Sequence, residues 1–159
     1  ELALKELRRV TRPGGLIFLA PAWACGPWLA DGYLVRPYSD FDWSGKLTKA
    51  SLALRNHPLY QYAHLVSSRI VRNGVLLAEG GAPTTFQYRR IEPNYDRYWM
   101  PDSDAVVYLD PYEALLWFQS RGDECLNCPA TTSDQLSMGL QPLVIRVNKS
   151  PAEAIAKTR

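Results

Sequence analysis

In Arg9–Ala20 a charged helical pattern runs into a Pro-Gly-Gly turn and then an apolar run, and this order constrains the fold more than any other part of the chain. Pro13 cannot continue a helix, and Gly14 and Gly15 permit backbone angles that a β-carbon disfavours. Leu16 to Ala20 is apolar throughout, which predicts a strand buried on both faces. Upstream, Leu4, Leu7 and Val10 are spaced by three and predict the end of an amphipathic helix over residues 1–10. Helix, turn and strand in this order form a unit of an α/β sheet.

Further along, the punctuation is uneven. Residues 21–45 are rich in Pro, Gly, Trp, Tyr and Asp and predict an irregular loop. Lys46–Arg55 predicts a short helix, stopped by Asn56-His57-Pro58 because the residue before proline avoids helical angles. Leu59–Arg72 predicts a second helix with Leu59, Tyr62, Val66 and Ile70 on one face, ended by Asn73-Gly74. Thr84–Ile91 is a possible strand after a Gly80-Gly81-Ala82-Pro83 turn. Asp110-Pro111-Tyr112-Glu113 is the clearest helix start: Asp110 can cap, Pro111 suits the first helical position, and Glu113 fits a capping box. That helix runs to Arg121 and ends at Gly122, with Ala114, Leu115, Trp117 and Phe118 as its buried stripe. A short strand over Glu124–Asn127 and a strand over Leu143–Val147 follow, and residues 150–159 predict a flexible tail.

The chain has 159 residues, enough for one domain with a single core, here residues 1–149. A net charge of +2 is too small to point to nucleic acid or an anionic membrane. No apolar run approaches the roughly 20 residues of a membrane-spanning helix. Three cysteines do not make a disulfide framework, which favours a cytoplasmic location.

Arg9-Val10-Thr11-Arg12-Pro13-Gly14-Gly15 followed by an apolar strand resembles the segment before the fifth strand of class I S-adenosylmethionine-dependent methyltransferases. The later order is similar too: a capped helix, the turn Ser120-Arg121-Gly122-Asp123-Glu124, a short strand and a final strand match that family's last helix and its sixth and seventh strands. The resemblance covers about residues 1–24 and 103–149. It implies a partial Rossmann-like α/β sheet, fifth to seventh strands, in which Leu143–Val147 lies antiparallel between the other two. Residues 25–100 form a mostly helical insertion after the fifth strand. It also implies S-adenosyl-L-methionine as cofactor of the parent enzyme. The family's glycine-rich loop and acidic strand end lie upstream of what is present, so no cofactor-binding residue is assigned in this chain. The chain opens at Glu1 already inside helical pattern, which leads to the expectation of a fragment with an exposed sheet edge at Leu16–Ala20 and self-association through it.

In this fold the loops at the carboxyl ends of the strands hold the substrate. Trp23, Trp28, Tyr33 and Trp43 are therefore candidate walls for a small, apolar or planar acceptor; the plainer reading is that these rings pack the insertion onto the sheet. His57, in a turn, is the candidate general base, ahead of His64 within a helix. Cys125-Leu126-Asn127-Cys128 has metal or redox spacing. With only Cys25, His57 and His64 left as further ligands, it is read as incidental, and no metal site is assigned. Two other functions compete with methyl transfer: a non-catalytic α/β binding or interaction module, and a glycosyltransferase-like enzyme using Asp102 and Asp104. Arg69, Arg72, Arg89 and Arg90 raise an anion site, and arginine beside aromatics suits single-stranded nucleic acid, but the low net charge argues against it.

Overall fold

A computed structural model describes residues 1–20, 32–80, 83–90 and 107–149. The chain divides into two compact units, one of Glu1–Pro21, Arg69–Gln87 and Asp110–Arg159, the other of Ala22–Ser68 and Tyr88–Leu109. The second overlaps the insertion expected over about residues 25–100.

The first unit is mixed helix and sheet. Helix α1 (Leu2–Val10) leads through the Pro-Gly-Gly turn into strand β1 (Leu16–Leu19). Gly14 has φ +74°, and at Gly15 a β-carbon would stand 2.8 Å from Thr11 Cγ2 and 2.9 Å from the Arg12 carbonyl oxygen. Both glycines also extend the sheet: Gly14 N–H donates to the Val147 carbonyl, and Val147 N–H to the Gly15 carbonyl. Helix α5 (Pro111–Gln119), strand β4 (Glu124–Cys125), short helix α6 (Thr132–Leu136) and strand β5 (Leu143–Arg146) complete the unit, together with the end of the long helix described below.

The sheet order is β1-β5-β4, and β5 is antiparallel to both neighbours, in register Ile17↔Ile145, Leu19↔Leu143 and Cys125↔Ile145. The two outer strands therefore run parallel to each other. Helix α5 starts as its residues dictate: the Asp110 carboxylate accepts from Tyr112 N–H at 2.9 Å, and Pro111 opens the first turn. It closes by a Schellman arrangement in which Gly122 (φ +79°) donates to Gln119 and Asp123 to Phe118. Ala114, Leu115, Trp117 and Phe118 are fully buried, as are Leu143, Ile145 and Val147, and these residues dominate the core.

Several expectations are corrected. Strand β1 is not buried on both faces: Ile17 is buried, but Leu16 and Phe18 are 58% and 71% exposed. Alternate residues of a strand point to opposite faces, so one face of β1 is covered and the other is open. In α1 only Leu4 of the predicted stripe is buried, and Arg8 is buried beside it, while Leu7 and Val10 are exposed.

The second unit contains helices α2 (Trp43–Ala50) and α3 (Leu52–Arg55) and most of helix α4 (Pro58–Ala78). Asp42 caps α2 by accepting from Gly45 N–H at 2.7 Å. Helix α4 does not stop at Asn73-Gly74. The Asn73 side chain is engaged with the Tyr112 hydroxyl, and the chain leaves the helix at Gly80 (φ +74°). Nor is the predicted face the buried one: Leu59, Tyr62 and Ile70 are exposed, and the buried residues are Arg69 and Arg72. Among the described residues of the possible strand at Thr84–Ile91, only Arg89–Arg90 is strand, β2, paired antiparallel with β3 (Val107–Tyr108).

Candidate functional site

Of the rings proposed to face an acceptor, Tyr33 lies ahead of α2 and Trp43 opens its first turn. Gly32 (φ +72°) accepts from Val35 and Arg36 and turns the chain so that Tyr33 meets Phe41. Their rings stack at 4.5 Å with 7° between planes. Gly45 lets Phe41 sit against α2, since a β-carbon there would stand 2.8 Å from Phe41 Cβ. The Arg36 guanidinium lies 4.4 Å above the Phe41 ring, and the Lys49 ammonium 5.3 Å from the Tyr38 ring, where it also donates to the Tyr33 carbonyl. This is a ring pair with cations on its flanks, a cation–π arrangement that fixes the loop.

Tyr33 thus belongs to a packed pair, whereas Trp43 points outward and is largely exposed. Trp23 and Trp28 lie outside the described residues, as do Cys25, Asp102 and Asp104. His57 is exposed, and its Nδ1 accepts from Leu59 N–H at 3.3 Å, at the start of α4. That bond gives His57 a capping role. His64 is exposed on α4 beside Tyr60. Sequence reasoning brought the two histidines forward as bases; the structure gives neither one an acidic partner among the described residues.

The polar network of the first unit was missed. Arg69 is buried and grips Asp110 side-on, Nε to Oδ2 at 2.9 Å and Nη2 to Oδ1 at 2.6 Å. Its Nη1 donates to the carbonyls of Leu136 and Met138 at 2.9 and 2.8 Å. Arg72 donates to Glu113 at 2.8 Å and to the Thr85 carbonyl. Burial pushes the Glu113 carboxyl above the ordinary glutamate value despite that partner. Burial likewise raises the Tyr112 hydroxyl, against its bond to Asn73. Arg8 donates to Asp123 at 2.7 Å, and the other Asp123 oxygen accepts from Asn148 N–H, so α1 is tied to the turn after α5 and to the end of β5. Arginine and carboxylate are matched within these groups, and the chemistry they do is structural. The signal available in the sequence was Arg69 and Arg72 three apart on a helix, with Asp110 and Glu113 three apart on another.

Cys125 and Cys128 are joined by a disulfide, which corrects the reading of this pair as incidental. The bridge closes a loop in which Asn127 serves as a side-chain rung: its Oδ1 accepts from Val144 N–H at 2.9 Å, and its Nδ2 donates to the Pro142 carbonyl at 2.8 Å. Among the described residues no group of three His, Cys, Asp or Glu side chains is placed to hold a metal ion, and no helix is long and apolar enough to cross a membrane. Comparison with protein families, with curated proteins and with solved structures found no match.

Proposed function

We propose that this chain supplies the later strands and the acceptor-side loops of a class I S-adenosylmethionine-dependent methyltransferase. The observation that carries the reading is the sheet: a central antiparallel β5 between two mutually parallel strands, entered by a Pro-Gly-Gly turn and followed by a capped helix with a glycine turn. Among the described residues the second edge of β1 has no partner strand, which supports a sheet that continues there, and the uncovered Leu16 and Phe18 leave one face for a further covering layer.

The described glycines Gly14 and Gly15 do not form a loop that fits the methyl donor. Gly14 N–H and the Gly15 carbonyl are committed to Val147, and the two glycines precede a strand where a cofactor loop follows one. No step is therefore derived through the donor. The chain's own contribution is acceptor positioning: the Tyr33–Phe41 stack, with Arg36 and Lys49 against its rings, holds the loop from which the exposed Trp43 can meet an apolar or planar acceptor.

Isothermal titration with S-adenosylhomocysteine tests the reading. The chain alone is expected to show no heat of binding, and a chain extended upstream of Glu1 is expected to bind with a one-to-one stoichiometry. Failure of the extended chain to bind, with its fold verified by circular dichroism, overturns the methyltransferase reading in favour of a binding module.

A further inference from the structure

The net charge of the whole chain conceals an uneven distribution. Between Asp42 and Glu79 there is no acidic residue, while Lys46, Lys49, Arg55, Arg69 and Arg72 all fall there. Arg69 and Arg72 are neutralised by Asp110 and Glu113. Lys46, Lys49 and Arg55 form no ion pair among the described residues. These three cations sit on α2 and α3, which are separated by Ser51 alone.

The same two helices turn apolar residues to solvent. Trp43, Leu47 and Ala50 are spaced as i, i+4 and i+7, one face at about 3.6 residues per turn. Trp43 and Leu47 are 75% and 55% exposed, and Leu54 of α3 is 61% exposed. Gly45 and Leu52 are the buried positions, and Gly45 lies on the opposite side of α2 from the Trp43 row. The apolar row is therefore not the face that α2 uses to pack on its own unit. A tryptophan–leucine row flanked by lysine and arginine, with three cations against the one carboxylate of the capping Asp42, has the composition of a helix that lies in the plane of a membrane interface. Trp43 has the amphipathic ring favoured at headgroup depth, and the lysine and arginine stems reach from apolar surface to phosphate.

We infer that α2 and α3 dock the protein on the surface of an anionic lipid bilayer, with Trp43, Leu47 and Leu54 entering the interface and Lys46 and Arg55 facing lipid phosphates. A surface so docked would meet an apolar acceptor where such molecules concentrate, although the inference does not depend on methyl transfer.

Flotation of the full chain with phosphatidylcholine vesicles, with and without about one third phosphatidylserine, tests it. The chain is expected to float with the anionic vesicles and to bind them at least about tenfold more weakly after Trp43→Ser, Leu47→Ser and Leu54→Ser together. Lys46→Glu with Arg55→Glu is expected to abolish the preference for phosphatidylserine, which provides a second reading should the triple variant fail to fold. Phe18→Ser, which removes an exposed apolar side chain from the sheet, is expected to leave flotation unchanged. Equal flotation of the parent chain and a folded triple variant overturns the inference, as does equal binding to both vesicle types. A lipid-free dimer in sedimentation velocity that disappears in the triple variant also overturns it, and assigns the row to a second copy of the chain.

Discussion

Helices α4 and α5 carry similar proportions of apolar residues yet face opposite ways. In α5 the apolar stripe goes inward, and Ala114, Leu115, Trp117 and Phe118 are lost to solvent. In α4 two arginines go inward, and Leu59, Tyr62 and Ile70 stay outside. The difference lies in what stands across from each. Helix α5 is in contact with β4 and β5, whose inward residues are Leu143 and Ile145, so apolar surface meets apolar surface. The carboxyl-terminal half of α4 meets Asp110, Glu113 and the carbonyls of Leu136 and Met138, a set of acceptors that the guanidinium groups of Arg69 and Arg72, with five donors each, satisfy. Helical periodicity identifies a face; the surface opposite decides whether that face is the buried one.

The comparison breaks first at its two anchors. Arg69→Met leaves the second Asp110 oxygen and two carbonyls without their donor and is expected to cost about 3–5 kcal/mol. Phe118→Ala is expected to cost a similar 3–5 kcal/mol by opening a cavity. Ile70→Ala, on the exposed side of α4, is expected to stay within about 0.5 kcal/mol. Urea unfolding of the three variants reads these values, and an Ile70 variant as damaging as Phe118→Ala would mean that the outward face is buried in solution.

A smaller effect is expected at the Cys125–Cys128 bridge. Closing so short a loop restricts the unfolded chain little, and Cys128→Ser is expected to lose at most about 2 kcal/mol under oxidising conditions. No difference from the parent chain is expected in excess dithiothreitol. A loss that persists under reduction would show that the Cys128 side chain acts through packing.

The smallest effect separates the two arginine pairs. Because burial raises the Glu113 carboxyl, the folded chain holds that proton more tightly than the unfolded chain does. The stability contributed by Glu113 therefore falls as pH rises from the ordinary glutamate value through its raised one. Chemical denaturation across that window, compared with Glu113→Gln, is expected to show a downward slope present only in the parent chain. An upward slope would mean that Arg72 outweighs burial. Glu6 behaves in the opposite sense: exposed, and held low by its hydrogen bonds to Arg9, it contributes above the ordinary glutamate value and loses that contribution as pH falls through its lowered one.

Local chemistry accounts for much of the first unit. Pro13-Gly14-Gly15 sets the turn into β1, because a side chain at 14 would be strained and one at 15 would collide with Thr11 and Arg12. Asp110-Pro111 starts α5, and Gly122 closes it. The stripe of α5 and the β5 core positions follow from apolar spacing alone. At the ring cluster, sequence marked the aromatic loop that holds Tyr33 and Phe41 but not their pairing: the two meet because Gly32 turns the chain and Gly45 leaves room, and neither effect is visible as periodicity.

Tertiary structure decided the rest. Asn73-Gly74 is a stop signal, yet α4 continues because Tyr112 engages Asn73 and the helix gains Arg72 as an anchor. Leu16 and Phe18, as apolar as Ile17, remain exposed because no described element covers that face of β1. Turns, caps and helix spacing act over a few residues and are written locally. Burial, ion pairing and cross-strand neighbours depend on partners far away in the chain, and those are fixed only when the chain has folded.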